Sequence, residues 1–177
     1  AGADDFIRKP VNMTELRARL RAASRLVRMQ KQFRQLAETD ALTGAANRQA
    51  FMQRLEIETE QARRHGSAVS VVMLDLDHFK LVNDTHGHAI GDRVLIETVK
   101  AVQHCLGRLG GEEFAVVLHD TTVEHALIAA ERIRAAIEAL QIRNDAGAAV
   151  PVTTSLGVSA AAVDTGLDTP ESLLLAA

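Results

Sequence analysis

The chain has 177 residues, enough for one full hydrophobic core and an appendage but not for two large domains. Hydrophobic residues make up 47% and charged residues 24%, the balance of an ordinary globular fold, and neither a bilayer-spanning apolar run nor a signal peptide is present. A formal net charge of -3 argues against a nucleic-acid-binding surface while leaving room for a local mononucleotide site. The one cysteine, Cys105, excludes an intrachain disulfide, fits a reducing cytoplasm and reads as a small core residue.

The first ten residues, AGADDFIRKP, read on their own as the approach to a helix with Pro10 outside it. From Met13 apolar residues recur at 13, 16, 20 and 23, then at 26, 29, 33 and 36, which predicts one long helix. The two runs differ in phase, and the narrow stripe, flanked by Arg and Gln, fits pairing with a second copy or packing on its own domain. Thr39 and Asp40 cap the next segment. Asn47 opens an amphipathic helix through Phe51, Leu55 and Ile57 towards Arg63, Arg64 and His65, cations that suit a helix end.

Val69, Val71, Val72, Met73 and Leu74 form a short apolar run bounded by Gly66 and Ser67, which predicts a strand buried on both faces. It ends in Asp75 and Asp77, at the end of a strand where ligands are commonly held. Asp77 reads equally well as the N-cap of a helix begun by His78 and Phe79. Asn83 to His88 predicts a polar loop, after which Gly91 and Asp92 start a helix carrying Val94, Leu95, Val99 and Val102. Arg108-Leu109, Gly110-Gly111 and Phe114 to Leu118 predict a hairpin with Glu112 and Glu113 beside its turn. If that hairpin neighbours the central strand, Glu112 and Glu113 converge with Asp75. Clustered carboxylates repel unless a cation joins them, and oxygen-only ligands point to magnesium or manganese. Two adjacent glycines leave room for a ligand against bare backbone. A helix from Thr122 to Leu140, a strand from Pro151 through VTTSLGVSA and a last helix from Glu171 to Ala177 complete an α+β order, predicting a sheet with helices on one side.

The motifs GGEEF at 110–114, LDLDHFKLVNDTHGHAIGD at 74–92 and TDALTGAANR at 39–48 together resemble the GGDEF-domain diguanylate cyclases, in a GGEEF variant, over most of the chain. The resemblance implies a palm-like, ferredoxin-like cyclase fold, a central antiparallel sheet flanked by helices and preceded by a long signalling helix. It also implies condensation of two GTP into cyclic di-GMP and pyrophosphate. Asp75, Glu112 and the main-chain carbonyl of Leu76 would ligate Mg2+ or Mn2+ with help from Glu113, and Glu112 would take the proton. Lys80 would neutralise phosphate charge, although by itself it reads as a surface lysine. Asn83 and Asp92 would read the guanine edge, with His88 and the backbone of Gly110 and Gly111 also at the substrate. Each domain would hold one GTP, so the active enzyme would be a homodimer. A catalytically silent module that senses GTP or cyclic di-GMP is the alternative.

AGADDFIRKP with the following helix resembles the end of a response-regulator receiver domain, in which Lys9 would contact a phosphoryl group, Pro10 would follow it and Phe6 would report activation. That implies an upstream histidine kinase, a cytoplasmic bacterial protein and three segments: a receiver remnant at 1–23, a helical linker at 24–38 and a C-terminally incomplete cyclase domain at 39–177. Neither nucleic acid nor membrane is expected as a partner. Between Asp92 and GGEEF the chain is several residues shorter than the family pattern, near Leu106-Gly107. An Arg-x-x-Asp inhibitory product site would lie there; Val102-Gln103-His104-Cys105 stands in its place without either charge. The shortfall predicts a missing loop at that junction.

Overall fold

The computed structural model describes residues 13–102, 106–161 and 169–177, and only the backbone of residues 30–37. Phe6, Lys9 and Pro10, and the residues Gln103, His104 and Cys105, lie outside the described residues. The chain divides into two compact units, Ala1–Ala37 and Glu38–Ala177.

In the first unit the repeat of apolar residues gives one uninterrupted helix, α1 (Met13–Glu38), whose sequence holds neither glycine nor proline. Met13, Leu20, Leu26 and Met29 of the predicted stripe are exposed. Glu15 and Arg19 pair along the helix at 2.8 Å.

The second unit runs β1 (Ala46–Asn47), α2 (Arg48–His65), β2 (Val69–Leu76), α3 (Phe79–His86), α4 (His88–Val102), β3 (Leu106–Arg108), β4 (Glu113–His119), α5 (Val123–Glu138), β5 (Thr154–Ala161) and α6 (Pro170–Ala176). The strands form a five-stranded sheet in the order β1-β3-β4-β2-β5. The apolar run at Val69 thus becomes a strand flanked by β4 and β5, antiparallel to both, and β1 alone pairs in parallel, with β3. The expected α+β fold, a largely antiparallel sheet flanked by helices, is what forms.

Helices cover both faces of that sheet, not one as expected. Val72, Leu74, Leu76, Phe114 and Val116 pack with Phe79 of α3, Ile90, Val94 and Leu95 of α4, and Ala130 and Ile137 of α5. Val69, Val71, Ala115 and Val117 point the other way, onto Phe51, Leu55 and Ala62 of α2 and Leu173 of α6. A strand whose odd and even residues are both apolar must be covered twice, because successive side chains leave opposite faces.

Other local expectations shift for equally simple reasons. Asn47 caps α2 by accepting from the Ala50 N–H at 3.0 Å. Ile57, however, is 56% exposed; six residues beyond Phe51 it falls on the far side of a helix with 3.6 residues per turn. The buried place goes instead to Thr59, whose hydroxyl donates to the Leu55 carbonyl at 2.7 Å. The stretch from Asn83 to His86 is the last turn of α3, not a loop, and α4 already starts at His88. Only Gly87, with φ of +82°, interrupts the two helices. Leu106 and Gly107, where a missing loop was expected, are consecutive residues of β3 facing Val116 and Ala115 in unbroken register. Among the described residues no helix is long and apolar enough to cross a membrane.

Candidate active site

The antiparallel register of β2 and β4 sets Asp75 directly opposite Glu113, so two acids distant in sequence share one end and one face of the sheet. The Leu76 N–H donates to the Glu112 carbonyl at 3.4 Å, which lays the Gly-Gly-Glu-Glu backbone alongside the end of β2. Asp75 and Glu113 are exposed and Glu112 is half-buried. None of these three carboxylates bonds to a side chain among the described residues. Like charges facing each other across strands destabilise a sheet by up to about 1 kcal/mol, a cost that a bridging cation removes. Carboxylate and main-chain carbonyl oxygens at this end of the sheet are donors of the kind that suit a hard divalent cation such as magnesium or manganese. Among the described residues no three acids, histidines or cysteines are gathered into a ready-made metal cage. The acids line an open end of the sheet instead, and the Glu113 carboxylate folds back over Gly110.

The turn itself is held from below by Arg108, which no motif brings forward, together with Asp40 and Thr43 of the 39–48 motif, for which the sequence suggests no role beyond Asp40 as a cap. Leu109 and Gly110 donate their N–H groups to the Glu113 carbonyl at 2.8 and 3.3 Å. The guanidinium of Arg108 donates to the carbonyls of Gly110 at 3.1 Å and Gly111 at 2.7 Å, and to the Asp40 carboxylate at 3.0 Å. Asp40 also accepts from the N–H and hydroxyl of Thr43, at 2.9 and 2.6 Å. The two charged side chains are only 15% and 24% exposed. Burial by itself raises the Asp40 pKa, but the bonds from Thr43 and Arg108 outweigh it and hold the carboxyl below its ordinary value. An arginine two residues before a Gly-Gly turn, in a strand that packs into a core, needs a partner. That need was the signal in the sequence.

Neither Gly110 nor Gly111 has a positive φ. The missing side chains matter for space: a Cβ on Gly110 would strike Glu113, whereas the position above Gly111 is open.

Asp77 does not cap α3. The residue before that helix, His78, sits in the left-handed region with φ of +56° and makes no side-chain cap bond. Asp77 instead accepts from the hydroxyls of Ser155 at 2.6 Å and Thr153 at 2.7 Å, which hold its carboxyl below the usual carboxylate range.

The remaining predicted residues lie on α3 and α4. The Asn83 side chain rests on the bare backbone of Gly91, so closely that a Cβ there would displace it. Asp92 is the next residue along and is exposed. His88 is exposed at the start of α4, and Lys80 is exposed in the first turn of α3.

Fold and site together define an α+β domain whose central strand ends in acids beside a Gly-Gly-Glu-Glu hairpin. The profile of the family described as diguanylate cyclase, GGDEF domain, matches residues 37–177, and the chain belongs to that family. It is 38% identical over 189 residues to response regulator PleD of Caulobacter vibrioides, covering 98% of this chain and 41% of that protein. It is 41% identical over 133 residues to diguanylate cyclase DgcP of Pseudomonas aeruginosa, covering 72% of this chain and 20% of that protein. The chain therefore spans about two-fifths or less of the length of these curated relatives. The crystal structure of the coiled coil and GGDEF domain of DgcB from Caulobacter crescentus, in complex with c-di-GMP, is 26% identical to it. That likeness covers 92% of this chain and 87% of that one, with a TM-score of 0.80.

Proposed function

We propose that the protein is a diguanylate cyclase that joins two GTP into cyclic di-GMP with release of pyrophosphate, as the output of a response regulator. The observation that carries this reading is the cross-strand register of Asp75 and Glu113 beside Glu112, acids without a side-chain partner among the described residues at one end of the sheet, in a chain that belongs to the diguanylate cyclase family. The likeness to PleD, named a response regulator and matched over 98% of this chain, supports the regulatory role.

Asp92 and Asn83 read guanine: its N1–H and N2–H donate along one edge, and a carboxylate and an amide oxygen accept there. Gly110 and Gly111 let the nucleotide lie close to main chain. Asp75, Glu112 and the Leu76 carbonyl would hold Mg2+ or Mn2+, assisted by Glu113, and a metal held there would supply charge stabilisation at the reacting phosphorus and a lowered pKa for the attacking 3′-hydroxyl. Glu112 also takes that hydroxyl's proton. Lys80 offsets phosphate charge, and His88 contacts substrate. Each domain binds one GTP, so two copies must face each other. The exposed apolar stripe of α1 supports pairing into that homodimer. By the same reading residues 1–23 end a receiver domain with Lys9 and Phe6, residues 24–38 are the linker and residues 39–177 the cyclase domain. The intact protein then answers to a histidine kinase in a bacterial cytoplasm.

The test is incubation with GTP and Mg2+ in parallel with Glu112→Gln. Cyclic di-GMP from the parent and none from the variant is the expected result. GTP binding without product in a dimeric parent protein would instead establish a nucleotide-sensing module.

A further inference from the structure

Thr153, just before β5, and the first two residues of β5 direct three hydroxyls into the segment that carries the acids. Thr153 Oγ1 and Ser155 Oγ donate to the two carboxylate oxygens of Asp77, at 2.7 and 2.6 Å. Thr154 Oγ1, buried, donates to the Asp75 carbonyl at 2.8 Å. The Asp77 N–H donates to the Thr153 carbonyl at 3.0 Å.

These bonds lie where the sheet stops. Pairing of β2 with β5 ends at Leu76 opposite Thr154, and two residues later His78 holds a left-handed φ of +56°. A non-glycine residue keeps that strained conformation only where its surroundings over-determine it, and such sites cluster at functional places. Here both oxygens of Asp77 anchor the residue before the strained turn.

The consequence falls on Leu76. The peptide before it is fixed at both ends, its Asp75 carbonyl by Thr154 and its Leu76 N–H by the Glu112 carbonyl. The peptide after it is fixed through the Asp77 N–H on Thr153, the residue before β5. In a trans peptide the C=O points opposite to the N–H. The Leu76 carbonyl is therefore turned away from β5, towards the side of the strand where Glu112 lies.

We propose that Asp77, Thr153, Thr154 and Ser155 form a hydroxyl clamp whose work is to aim the Leu76 carbonyl and the Asp75 carboxylate at the divalent ion. They are positioning residues, acting through Asp75 and Leu76, and the inference rests on the assignment of those two as metal ligands made above. Partners that orient metal ligands typically change metal affinity by about 10–100-fold when removed.

The test measures binding without turnover in the 177-residue chain. The probe is 3′-deoxy-GTP, which lacks the attacking hydroxyl, titrated calorimetrically with Mn2+ and again with EDTA. The readout is the ratio of the two affinities, which cancels any difference in folded fraction between proteins. Thr153→Val with Ser155→Ala is expected to lower that ratio by about tenfold while leaving metal-free affinity unchanged. Thr153→Ser, which keeps the hydroxyl, is expected to match the parent protein. Should the double variant not fold, Ser155→Ala alone at its exposed position is expected to lower the ratio by about threefold, one bond's share of the effect. A variant with lower thermal stability and an unchanged ratio overturns the clamp and leaves the metal site standing. A parent protein whose affinity ignores Mn2+ overturns the metal site itself, and the clamp with it.

Discussion

Asp75 and Asp77 stand two residues apart on the same strand end and live in opposite electrostatic surroundings. Asp77 has both oxygens engaged by the hydroxyls of Thr153 and Ser155, and its carboxyl is held below the usual range. Asp75 faces Glu113 across the strands and has no side-chain partner among the described residues. A carboxylate that serves the fold is satisfied by the fold. One left facing another acid is a cost to folding that a bound cation can repay, the usual mark of a functional site.

That contrast can be broken by mutation. On the proposed reading the largest effect is on turnover: Asp75→Asn or Glu112→Gln should lower cyclic di-GMP production by about 10²–10⁴-fold, the loss expected if these acids hold the metal and take the proton, measured by chromatography of the nucleotide products. The same Asp75→Asn change should leave stability unchanged or raise it by about 0.5 kcal/mol in urea titrations, because it removes a like-charge pair. Asp77→Ala should do the reverse and destabilise by about 1–2 kcal/mol through loss of two charge-assisted hydrogen bonds. If Asp75→Asn were the more destabilising of the two, the division between structural and functional acid would be wrong.

A smaller effect is expected at the corner between α3 and α4. Gly91→Ala should push Asn83 off the backbone it rests on and raise KM for GTP by about tenfold, the worth of roughly one hydrogen bond, with less change in kcat. An unchanged KM would remove Asn83 from guanine recognition.

The smallest effect concerns Asp40 and depends on pH. Its folded pKa lies below the ordinary 3.8, so its contribution to stability is fully present above that value and is lost as pH falls through the lower folded one. At neutral pH Asp40→Asn should therefore be less stable than the parent by about 1 kcal/mol, given partial exposure of the pair, and the gap should close in acid. Thermal melts at several pH values measure it. A constant gap would mean that the charge on Asp40 is immaterial, because the asparagine oxygen can still accept from Thr43.

Much of the fold could be read in the chain because its signals are local. An apolar run of β-branched residues predicts a buried strand, Asn47 predicts the start of α2, and an unbroken repeat without glycine or proline predicts α1. The motifs named the residues of the candidate site for the same reason, since each stands within a short, distinctive string. Glu112, Glu113 and the central strand were expected as neighbours, and the register of β2 with β4 provides that contact.

What the chain could not disclose depends on pairings across long sequence separations. Asp40 and Arg108 meet across 68 residues, and Asp77 meets Thr153 and Ser155 across 76 and 78. Nothing local distinguishes a hydroxyl bound for a remote carboxylate from one bound for water. The order of elements suggests helices on one face only, whereas the apolar run of β2, with both odd and even residues apolar, already requires cover on both. Sequence by itself decided which segments become helix and strand and which short motifs carry chemistry, since backbone preference and side-chain periodicity act over a few residues. Tertiary structure alone decided which of two nearby aspartates is satisfied and which is left open, because only the sheet's register brings the distant partner groups within hydrogen-bonding reach.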